Sequence, residues 1–378
     1  MSHNHAVYPA TGLHLVRLCP NGGYVVRIRN FVWLFAAFAV IGCGSGGDNQ
    51  ASSSSGGTDS PSAEKKMLVG VVFDSGGIGD KSFNDSANAG VQKAAKELGV
   101  EVKTADSKSE KDYETNLEGL AEKGCGVIFA VGFKQESALK VVAPKYPKIS
   151  FAIIDDVVTL PNVRSLVFAE EQGSFLAGYL AALVSKTGKI GFVGGETSPL
   201  IKKFESGYVA GAKTARADID TSGIKYTESW DDTSLGKLSA ASLFSGGCDI
   251  VYHAAGRCGL GVISAAKDAN KFAIGVDSNQ DGEAPGNVLT SMIKRVDVSV
   301  FDTIKDVKDG KFTADVHRFD LKSEGVGLSD FQYTKDKIGD ANLKKVADIS
   351  KQIVDGKVKV PATDAELKTY LAGLKKTP

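Results

Sequence analysis

The sequence predicts an α/β protein of two lobes, each built on a parallel sheet, and three observations lead to this class. Strand-like and helix-like segments alternate along most of the 378 residues. The strand-like segments are apolar runs without period-two alternation, which is typical of strands covered on both faces. The alternation also starts a second time near residue 186, again with a strand and a glycine-rich turn. A chain of this length accommodates two ordinary domains.

The strands fall into two consecutive series. The first series is MLVGVVFD, VEVKTAD, CGVIFAVG, ISFAIIDD and VRSLVFA, with helical patterns between its members. After the apolar helical segment SFLAGYLAALVSKT, the second series is KIGFVGG, IKYTESW, CDIVYHAAG and KFAIGVD. We therefore expect a first lobe from residues 67–172 that takes back strands from about 278–361, a second lobe from 186–277, and a helical tail at 362–378.

The N-terminal segment has the pattern of a secretion signal. The basic stretch VVRIRN precedes the apolar run FVWLFAAFAVIG, which ends at Cys43 and is shorter than the roughly 20 residues that span a bilayer. Val40-Ile41-Gly42-Cys43 resembles a lipobox, in which the cysteine carries the lipid anchor. We expect a signal peptide region at 1–43 with its true start near residue 25, a Gly/Ser-rich tether at 44–66, and a folded part outside the cytoplasmic membrane. A short uncleaved anchor is the alternative.

Charge and cysteine content exclude several classes of function. The 45 basic and 45 acidic residues balance, and without residues 1–43 the chain has 42 basic against 45 acidic residues, so we expect no nucleic-acid partner. Beyond Cys43, the cysteines Cys125, Cys248 and Cys258 form no CxxC pair, and only two histidines remain. We therefore expect no metal, no cofactor and three unpaired cysteines, with a Cys248–Cys258 bridge as the alternative.

The glycine-rich stretch DSGGIGDKSFN, residues 74–84, follows the first strand at the place where nucleotide-binding folds hold phosphate. Its chemistry does not fit phosphate. A P-loop needs glycine before its lysine, but Asp80 precedes Lys81, and the three glycines do not have GxGxxG spacing. Asp74, at the strand end, would repel a pyrophosphate. The stretch therefore favours a neutral ligand with hydroxyl or amide groups.

Four side chains of this stretch can either serve the fold or contact a ligand. Asp80 and Ser82 precede a helical pattern, and we expect them to cap that helix. Phe83 offers a stacking face and Asn84 can donate and accept hydrogen bonds, so contact with a ligand and packing in the core both remain open for them.

The second lobe and the segment after it add three candidates. Phe204 lies on the helix after the second glycine turn, where it either packs in the core or opposes Phe83 to clamp a flat base. Asp277 ends the last strand of the second series. Lys294 comes later in the chain. A lysine beside a carboxylate can keep that carboxylate ionised and can also donate to a ligand hydroxyl. The alternative is that Lys294 is a solvated surface charge.

Catalysis has no strong candidate in the sequence. The carboxylates at the strand ends could cap helices or act as a hydrolytic pair, and they are Asp155, Asp156, Asp231 and Asp232. There is no Ser-His-Asp arrangement, no GxSxG and no HExxH. His253 lies at a strand end, where a lone histidine is more often structural. We therefore expect a protein that is not an enzyme.

Several motifs together resemble one known family. They are DSGGIGDKSFN, the GF of AVGFKQESA, FAIIDDVV, FAEEQGSFLAGYLAALVSKTGKIGFVGG, FESGYVAGAK, AIGVDSNQ and LTSMIKRVDVSVFD. From about Met67 to Pro361 the chain resembles the Bmp (basic membrane protein) family of bacterial lipoproteins. These are substrate-binding components of ABC transporters, with the type I periplasmic-binding-protein fold of two Rossmann-like lobes joined by hinge crossovers.

The resemblance implies a ligand, partners and a set of contacts. The ligand would be a purine nucleoside of the guanosine, inosine or adenosine type, and the partners would be a permease and an ATPase subunit at the membrane that holds the lipid anchor. The implied contacts are stacking of the base between Phe83 and Phe204, hydrogen bonds from Asp74 and Asn84 near the base, and ribose contacts with Asp277, Lys294 and the backbone at Gly256.

One departure from the family pattern concerns the base. Family members commonly have aspartate before the alanine in GFxxxDA, where it helps to recognise the base, and here Ser137 occupies that place. We expect Ser137 to contact the ligand there, without the charge and reach of aspartate. A sugar or a signalling compound therefore remains an alternative ligand. An extracytoplasmic nucleoside hydrolase or a dehydrogenase is a more distant alternative.

Overall fold

The computed structural model describes residues 66–374. The predicted signal peptide, Cys43 and nearly all of the tether lie outside the described residues, as do the last four residues of the predicted tail. The described part contains two six-stranded sheets with helices around them, which confirms the predicted class. Among residues 66–374, no helix combines the length and the apolar character needed to cross a membrane.

The strands of the first sheet come from the first half of the chain, with one late addition. They are β1 (Leu68–Phe73), β2 (Glu101–Asp106), β3 (Val127–Val131), β4 (Ser150–Ile154), β5 (Val163–Phe168) and β11 (Val316–Phe319). The strands of the second sheet are β6 (Lys189–Gly194), β7 (Asp220–Tyr226), β8 (Ile250–Ala254), β9 (Phe272–Asp277), β10 (Val288–Lys294) and β12 (Val326–Leu328).

Both sheets have the same strand order. In the first sheet the neighbours run β2-β1-β3-β4-β5-β11, and every pair is parallel. In the second they run β7-β6-β8-β9-β10-β12, parallel except for β12, which is antiparallel to β10. The central strands β3 and β8 are buried along their whole length, because helices cover both faces of a parallel sheet. We refer to each sheet with its helices as a lobe.

Eleven helices accompany the sheets in the described part. They are α1 (Phe83–Leu98), α2 (Tyr113–Glu122), α3 (Glu136–Val142), α4 (Glu170–Val184), α5 (Pro199–Ala215), α6 (Thr233–Ser245), α7 (Cys258–Asp268), α8 (Val296–Lys308), α9 (Lys335–Ile338), α10 (Asp340–Val354) and α11 (Asp364–Leu374). Helix α11 lies in the predicted tail, and its Tyr370 hydroxyl is 2.8 Å from Thr214 Oγ1 of α5.

The predicted return of residues 278–361 to the first lobe is wrong for most of that segment. Strand β10 extends the second sheet, with Met292 opposite Val276 and Ile293 opposite Asp277. Its side chains are nearly all buried, because this apolar strand completes the core of the second sheet before the chain crosses over. Only α8 and β11 join the first lobe; β12 returns to the second sheet.

The other late helix, α10, also lies away from the first sheet. Its Ile349 and Ile353 pack against Phe175 and Leu176 of α4. The chain therefore crosses between the sheets three times within the described part, after β5, after β10 and after β11. These three crossings correspond to the hinge crossovers that the family resemblance implies.

Helices α4 and α5 approach each other closely because glycines replace side chains at their contact. A Cβ atom at Gly178 would lie 1.9 Å from Tyr208 O, and one at Gly211 would lie 1.9 Å from Phe175 O. A methyl group at either position would overlap the facing main chain, so the sequence has glycine at both. This contact fixes α4, which starts just after the first crossing, to the second lobe.

The three cysteines of the described part are buried and unpaired, as predicted. Cys125 belongs to the first lobe, and Cys248 and Cys258 pack in the core of the second. Burial raises the pKa of the Cys125 thiol to about 11, so this sulfur stays protonated. Because Cys248 and Cys258 are both unpaired, the alternative of a bridge between them is wrong.

Candidate functional site

A cleft lies between the carboxyl ends of the two sheets. It is concave and combines aromatic rings with a few polar and charged groups, as small-molecule sites do. Its lining comes from both lobes: Asp74, Gly76, Asp80, Phe83, Asn84, Gly132, Phe133, Lys134 and Asp155 from the first, and Leu200, Ile201, Phe204, Trp230, Ala254, Ala255, Gly256, Arg257, Val276, Asp277 and Lys294 from the second. Open α/β sheets bind ligands at these strand ends.

The structure brings seven of the eight predicted ligand-contact residues to this one cleft. They are Asp74, Phe83, Asn84, Phe204, Gly256, Asp277 and Lys294. Phe83 comes from the start of α1 and Phe204 from α5, so the two rings belong to opposite lobes. Phe204 is therefore both a core residue, with 3% of its surface exposed, and part of the cleft wall.

Ser137 is the exception, because it does not line this cleft. It lies on the exposed side of α3, where its hydroxyl is 3.5 Å from Glu136 Oε2. The turn before it is held by Gln135, whose buried amide donates to the main-chain oxygens of Val72 and Val131. That anchor turns α3 away from the cleft, and the residues of this connection that line the cleft are Gly132, Phe133 and Lys134.

Asp80 organises the loop that begins α1, as predicted. Its two carboxylate oxygens accept hydrogen bonds from the main-chain nitrogens of Ser82 and Asn84, both at 2.9 Å, and from Asp85 N at 3.1 Å. Unpaired amides at a helix start need such an acceptor. The carboxylate therefore satisfies the first turn of the helix and also lies at the cleft wall.

Ser82 does not cap the helix with its side chain, contrary to the prediction. It stands at the position before α1, but its hydroxyl donates to Asp277 Oδ2 of the second lobe at 2.5 Å. In the opposite direction, Ser278 Oγ donates to the Ser82 main-chain oxygen at 3.1 Å. The start of α1 is thus tied across the cleft, because Asp80 has already taken over the capping role.

The corner of the cleft next to β1 holds a carboxylate and an amide. Asp74 Oδ1 accepts from Gly76 N at 2.9 Å and from Asn84 Nδ2 at 2.7 Å, and the same Nδ2 is 3.2 Å from Asp80 Oδ2. Burial raises the pKa of Asp74 to about 6, against the opposing effect of these hydrogen bonds. The carboxylate is therefore mainly ionised at neutral pH.

The floor of the cleft is an ion cluster around Lys294. This side chain is 1% exposed, and its Nζ donates to Asp155 Oδ2 at 2.6 Å and lies 3.3 Å from Glu170 Oε1. Burial alone would lower the pKa of Lys294, but the neighbouring carboxylates outweigh burial and raise it. The alternative of a solvated lysine is therefore wrong. Asp155 serves this cluster and does not cap a helix.

The same ammonium group faces three aromatic rings. The Nζ atom is 5.1 Å from the centroid of Phe83, 5.0 Å from Phe168 and 5.7 Å from Phe204. These distances are within cation–π range, so the rings stabilise a charge that would otherwise be poorly solvated. The ammonium group thus connects the carboxylates of the floor with the aromatic walls of the cleft.

Among the carboxyl groups at the floor of the cleft, Asp277 has its pKa raised furthest above the ordinary value. Burial raises its pKa to about 7, although Lys294 and the Ser82 hydroxyl both favour the ionised form. His253, in contrast, is fully buried behind the cleft; its Nε2 is 3.0 Å from Gln280 Oε1, and burial lowers its pKa to about 4. The histidine is therefore neutral and structural, as predicted.

Two further contacts join the lobes at the mouth of the cleft. Lys134 Nζ of the first lobe is 2.6 Å from Glu196 Oε1 of the second. Arg257 of the second lobe donates from Nη2 to the main-chain oxygens of Gly76 at 3.0 Å and Ile78 at 2.9 Å. Both pairs hold the DSGGIGDKSFN side of the cleft against the opposite lobe.

Sequence reasoning alone assigns no role to Lys134, Glu170, Trp230 or Arg257. Trp230 could have been found, because it follows β7 at the carboxyl end of a strand; its ring packs so closely over Gly195 that a Cβ there would lie 2.6 Å from the indole. Nothing in the sequence indicates that Lys134 and Arg257 reach the other lobe. The remaining strand-end aspartates are partly explained, since Asp232 caps α6 at Ser234 N and Leu235 N.

Two lobes with the same strand order, which face each other across a cleft at their strand ends, are the architecture of a two-lobed ligand-binding protein. A family described as "ABC transporter substrate-binding protein PnrA-like" (Bmp) matches residues 67–364, and the chain belongs to this family. The resemblance seen in the sequence is therefore confirmed, and the protein is a substrate-binding protein of the ABC transporter type.

Named relatives and a solved structure agree with this assignment. The chain is 38% identical over 319 residues to the ABC transporter nucleoside-binding protein BmpA of Lactococcus lactis, covering 78% of this chain and 89% of that protein. It is 37% identical over 354 residues to the CD4+ T-cell-stimulating antigen of Listeria innocua, covering 87% and 96%. An ABC transporter solute-binding protein from Aeropyrum pernix superposes with a TM-score of 0.74 at 30% identity, covering 82% and 97%.

The raised pKa of Asp277 predicts a pH-dependent effect of its replacement. The folded protein retains a proton on this carboxyl that the unfolded chain releases between about pH 4 and pH 7, so the carboxyl lowers the free energy of unfolding as pH rises. Asp277→Asn should therefore stabilise the ligand-free protein at about pH 8, by roughly 1.4 kcal/mol per unit of pKa shift, and have little effect at about pH 4. Urea denaturation at the two pH values measures the difference.

Lys294 keeps Asp155 and Glu170 as partners in this variant, so its charge remains compensated. Asp218→Asn, at a carboxylate whose side chain is 78% exposed, is the matched control for loss of one negative charge. Equal stability of the Asp277→Asn variant and the original protein at both pH values would contradict the prediction.

Proposed function

We propose that the protein captures a purine nucleoside between its lobes outside the cytoplasmic membrane and delivers it to an ABC permease driven by an ATPase subunit. The observation that supports this most is the pair of rings, Phe83 and Phe204, which come from opposite lobes and bound the same cleft. Two such rings can stack on both faces of one flat base, with roughly 1–3 kcal/mol of stacking per base. The Lactococcus relative is named a nucleoside-binding protein, and this supports the same ligand class.

The ion cluster at the floor suits the sugar of such a ligand. A ribose hydroxyl both donates and accepts hydrogen bonds, and the floor offers a donor in Lys294 and an acceptor in Asp277. The backbone at Gly256, which lines the same cleft, is the third proposed contact on this side. We place the ribose here and the base between the two phenylalanines.

The cleft favours binding over turnover. Its carboxylates are engaged by Lys294, Ser82 and main-chain amides, and the buried His253 is neutral and outside the cleft lining. The facing rings of Phe83 and Phe204 favour a flat base over the sugar alternative. We therefore propose a binding protein without enzymatic activity.

The proposed function includes closure of the lobes around the ligand. The lobes would move about the three crossings, and the ligand would shift the equilibrium by its higher affinity for the closed state. In this proposal the first lobe comprises β1–β5, α1–α3, α8 and β11, and the second comprises the other sheet with its helices. The Lys134–Glu196 pair would then stabilise the closed state.

Removal of one ring is expected to weaken purine binding. Phe83→Ala and Phe204→Ala should each raise the Kd for guanosine by about 5- to 150-fold, the equivalent of the stacking energy, in calorimetry with ligand-free protein. Phe301→Ala, at a partly buried phenylalanine on α8 outside the cleft, is the control and should leave the Kd unchanged. If no purine nucleoside binds to the original protein while a simple sugar does, the proposed ligand class is wrong.

Loss of the pair at the cleft mouth is expected to accelerate release. Glu196→Gln should increase the dissociation rate of the bound nucleoside about 1.4- to fivefold in stopped-flow displacement, because partly exposed ion pairs contribute about 0.2–1 kcal/mol. Lys237→Met breaks an ion pair with Asp268 that lies 2.7 Å apart within the second lobe, and it serves as the control. Equal dissociation rates for Glu196→Gln and the original protein would show that this pair does not hold the lobes together.

The anchor is a further part of the proposal and lies outside the described residues. We propose a signal peptide region at 1–43, lipid attachment at Cys43 and a tether at 44–66, so that the folded part is held at the outer side of the membrane. A Cys43→Ser variant expressed in bacteria should lose incorporation of labelled palmitate and leave the membrane fraction. Palmitate incorporation that persists in this variant would contradict the anchor.

A further inference from the structure

The hydrogen-bonding groups at the Asp74–Asn84 corner of the cleft limit which bases can bind there. Asn84 is 2% exposed, and its Nδ2 donates to Asp74 Oδ1 at 2.7 Å and approaches Asp80 Oδ2 at 3.2 Å. Both neighbours are carboxylate oxygens, which only accept hydrogen bonds when ionised. The reverse orientation of the amide would set its oxygen against two carboxylates, so the chemistry of the neighbours fixes which way Asn84 points.

The fixed orientation leaves the amide oxygen without a partner. Asn84 Oδ1 is buried and accepts no hydrogen bond from residues 66–374. At Asp74, the hydrogen bonds within the described part reach Oδ1 only, from Gly76 N and Asn84 Nδ2, and Oδ2 accepts none. A buried acceptor without a donor is unfavourable by about 1–3 kcal/mol. Both residues line the cleft, so a bound ligand is the natural source of the missing donors.

The two ends of the cleft therefore differ in what they offer a ligand. The Lys294 end combines an ammonium donor with carboxylate acceptors, whereas the Asp74 corner presents two acceptors. The charged neighbours of Asp74 are Asp80 and Lys134, while those of Asp277 are Lys294, Asp155 and Asp80, so the two ends are electrostatically distinct. Lys134 is committed to Glu196 and Glu110, at 2.6 and 3.3 Å. Hydroxyl groups match the first end, and a heterocycle edge with adjacent N–H groups matches the second.

We infer that the Asp74–Asn84 corner selects bases with two adjacent N–H donors, as on the N1–H and 2-amino edge of guanine, over bases that lack one of them. This inference rests on the proposed function, because it assumes a base between Phe83 and Phe204. Hypoxanthine lacks the 2-amino group. Adenine presents an acceptor at N1, which would face the acceptors of the corner. A site whose buried groups lose their partners rejects such analogues.

Calorimetry with a set of nucleosides at about pH 8, where Asp74 is ionised, tests the inference on the unaltered protein. Guanosine and 7-deazaguanosine both retain the two donors and should bind within about threefold of each other. Inosine lacks the 2-amino group and 1-methylguanosine lacks N1–H; each should bind at least about tenfold more weakly than guanosine, as should adenosine.

The outcomes separate this inference from the proposed function. If guanosine, inosine and adenosine bind equally, or if 1-methylguanosine binds as well as guanosine, the inference is wrong and the proposed function stands. If none of the nucleosides binds, the proposed function itself is wrong, and the inference falls with it. These measurements need no variant, so a folding defect cannot obscure them.

An isosteric substitution checks that Asp74 carries the preference. Asp74→Asn should reduce the ratio of inosine Kd to guanosine Kd from at least about ten to about one, because an amide can present a donor where the carboxylate presents an acceptor. Asp106→Asn, at the exposed carboxyl end of the neighbouring strand β2, is the matched control and should keep the ratio of the original protein. An unchanged ratio in Asp74→Asn would overturn the role of this carboxylate.

Discussion

The buried ammonium group of Lys294 is the interaction on which the site depends. It lies at the end of β10, contacts Asp155 at the end of β4 and Glu170 at the start of α4, and faces Asp277 at the end of β9. These elements belong to both sheets and to the first crossing between them. An unpaired charge at this depth would be strongly destabilising, so the four groups must stay together, and their cohesion positions the strand ends around the cleft.

Much of the fold could be predicted from sequence because parallel strands have a strong local signal. All nine strands of the two predicted series exist, since apolar runs separated by amphipathic helices have few other solutions. The placement of β10 could not be predicted in the same way. Its partner is decided by register against β9, with Ile293 opposite Asp277, and no feature of residues 278–295 alone shows which sheet it joins.

The residues of the candidate site also differ in whether the sequence alone could place them. Residues at the carboxyl end of a strand, such as Asp74 and Asp277, could be placed because the carboxyl ends of parallel strands meet at one edge. Ser137 could not, because its direction depends on Gln135 reaching back to Val72, a long-range hydrogen bond. The Ser82–Asp277 contact is equally invisible in sequence, since its partners are 195 residues apart and belong to opposite lobes.

The contact of Ser82 also has a consequence for the balance between open and closed states. A serine before a helix normally accepts a hydrogen bond from an amide of the first turn, and here the hydroxyl donates to Asp277 while Asp80 satisfies the helix. Because Asp80 already accepts the amides of the first turn, the Ser82 hydroxyl is released from capping and can join the two lobes. In the proposed opening of the cleft, this hydrogen bond would be lost together with the Lys134–Glu196 and Arg257 contacts, so the start of α1 would act as one of the latches that hold the lobes together.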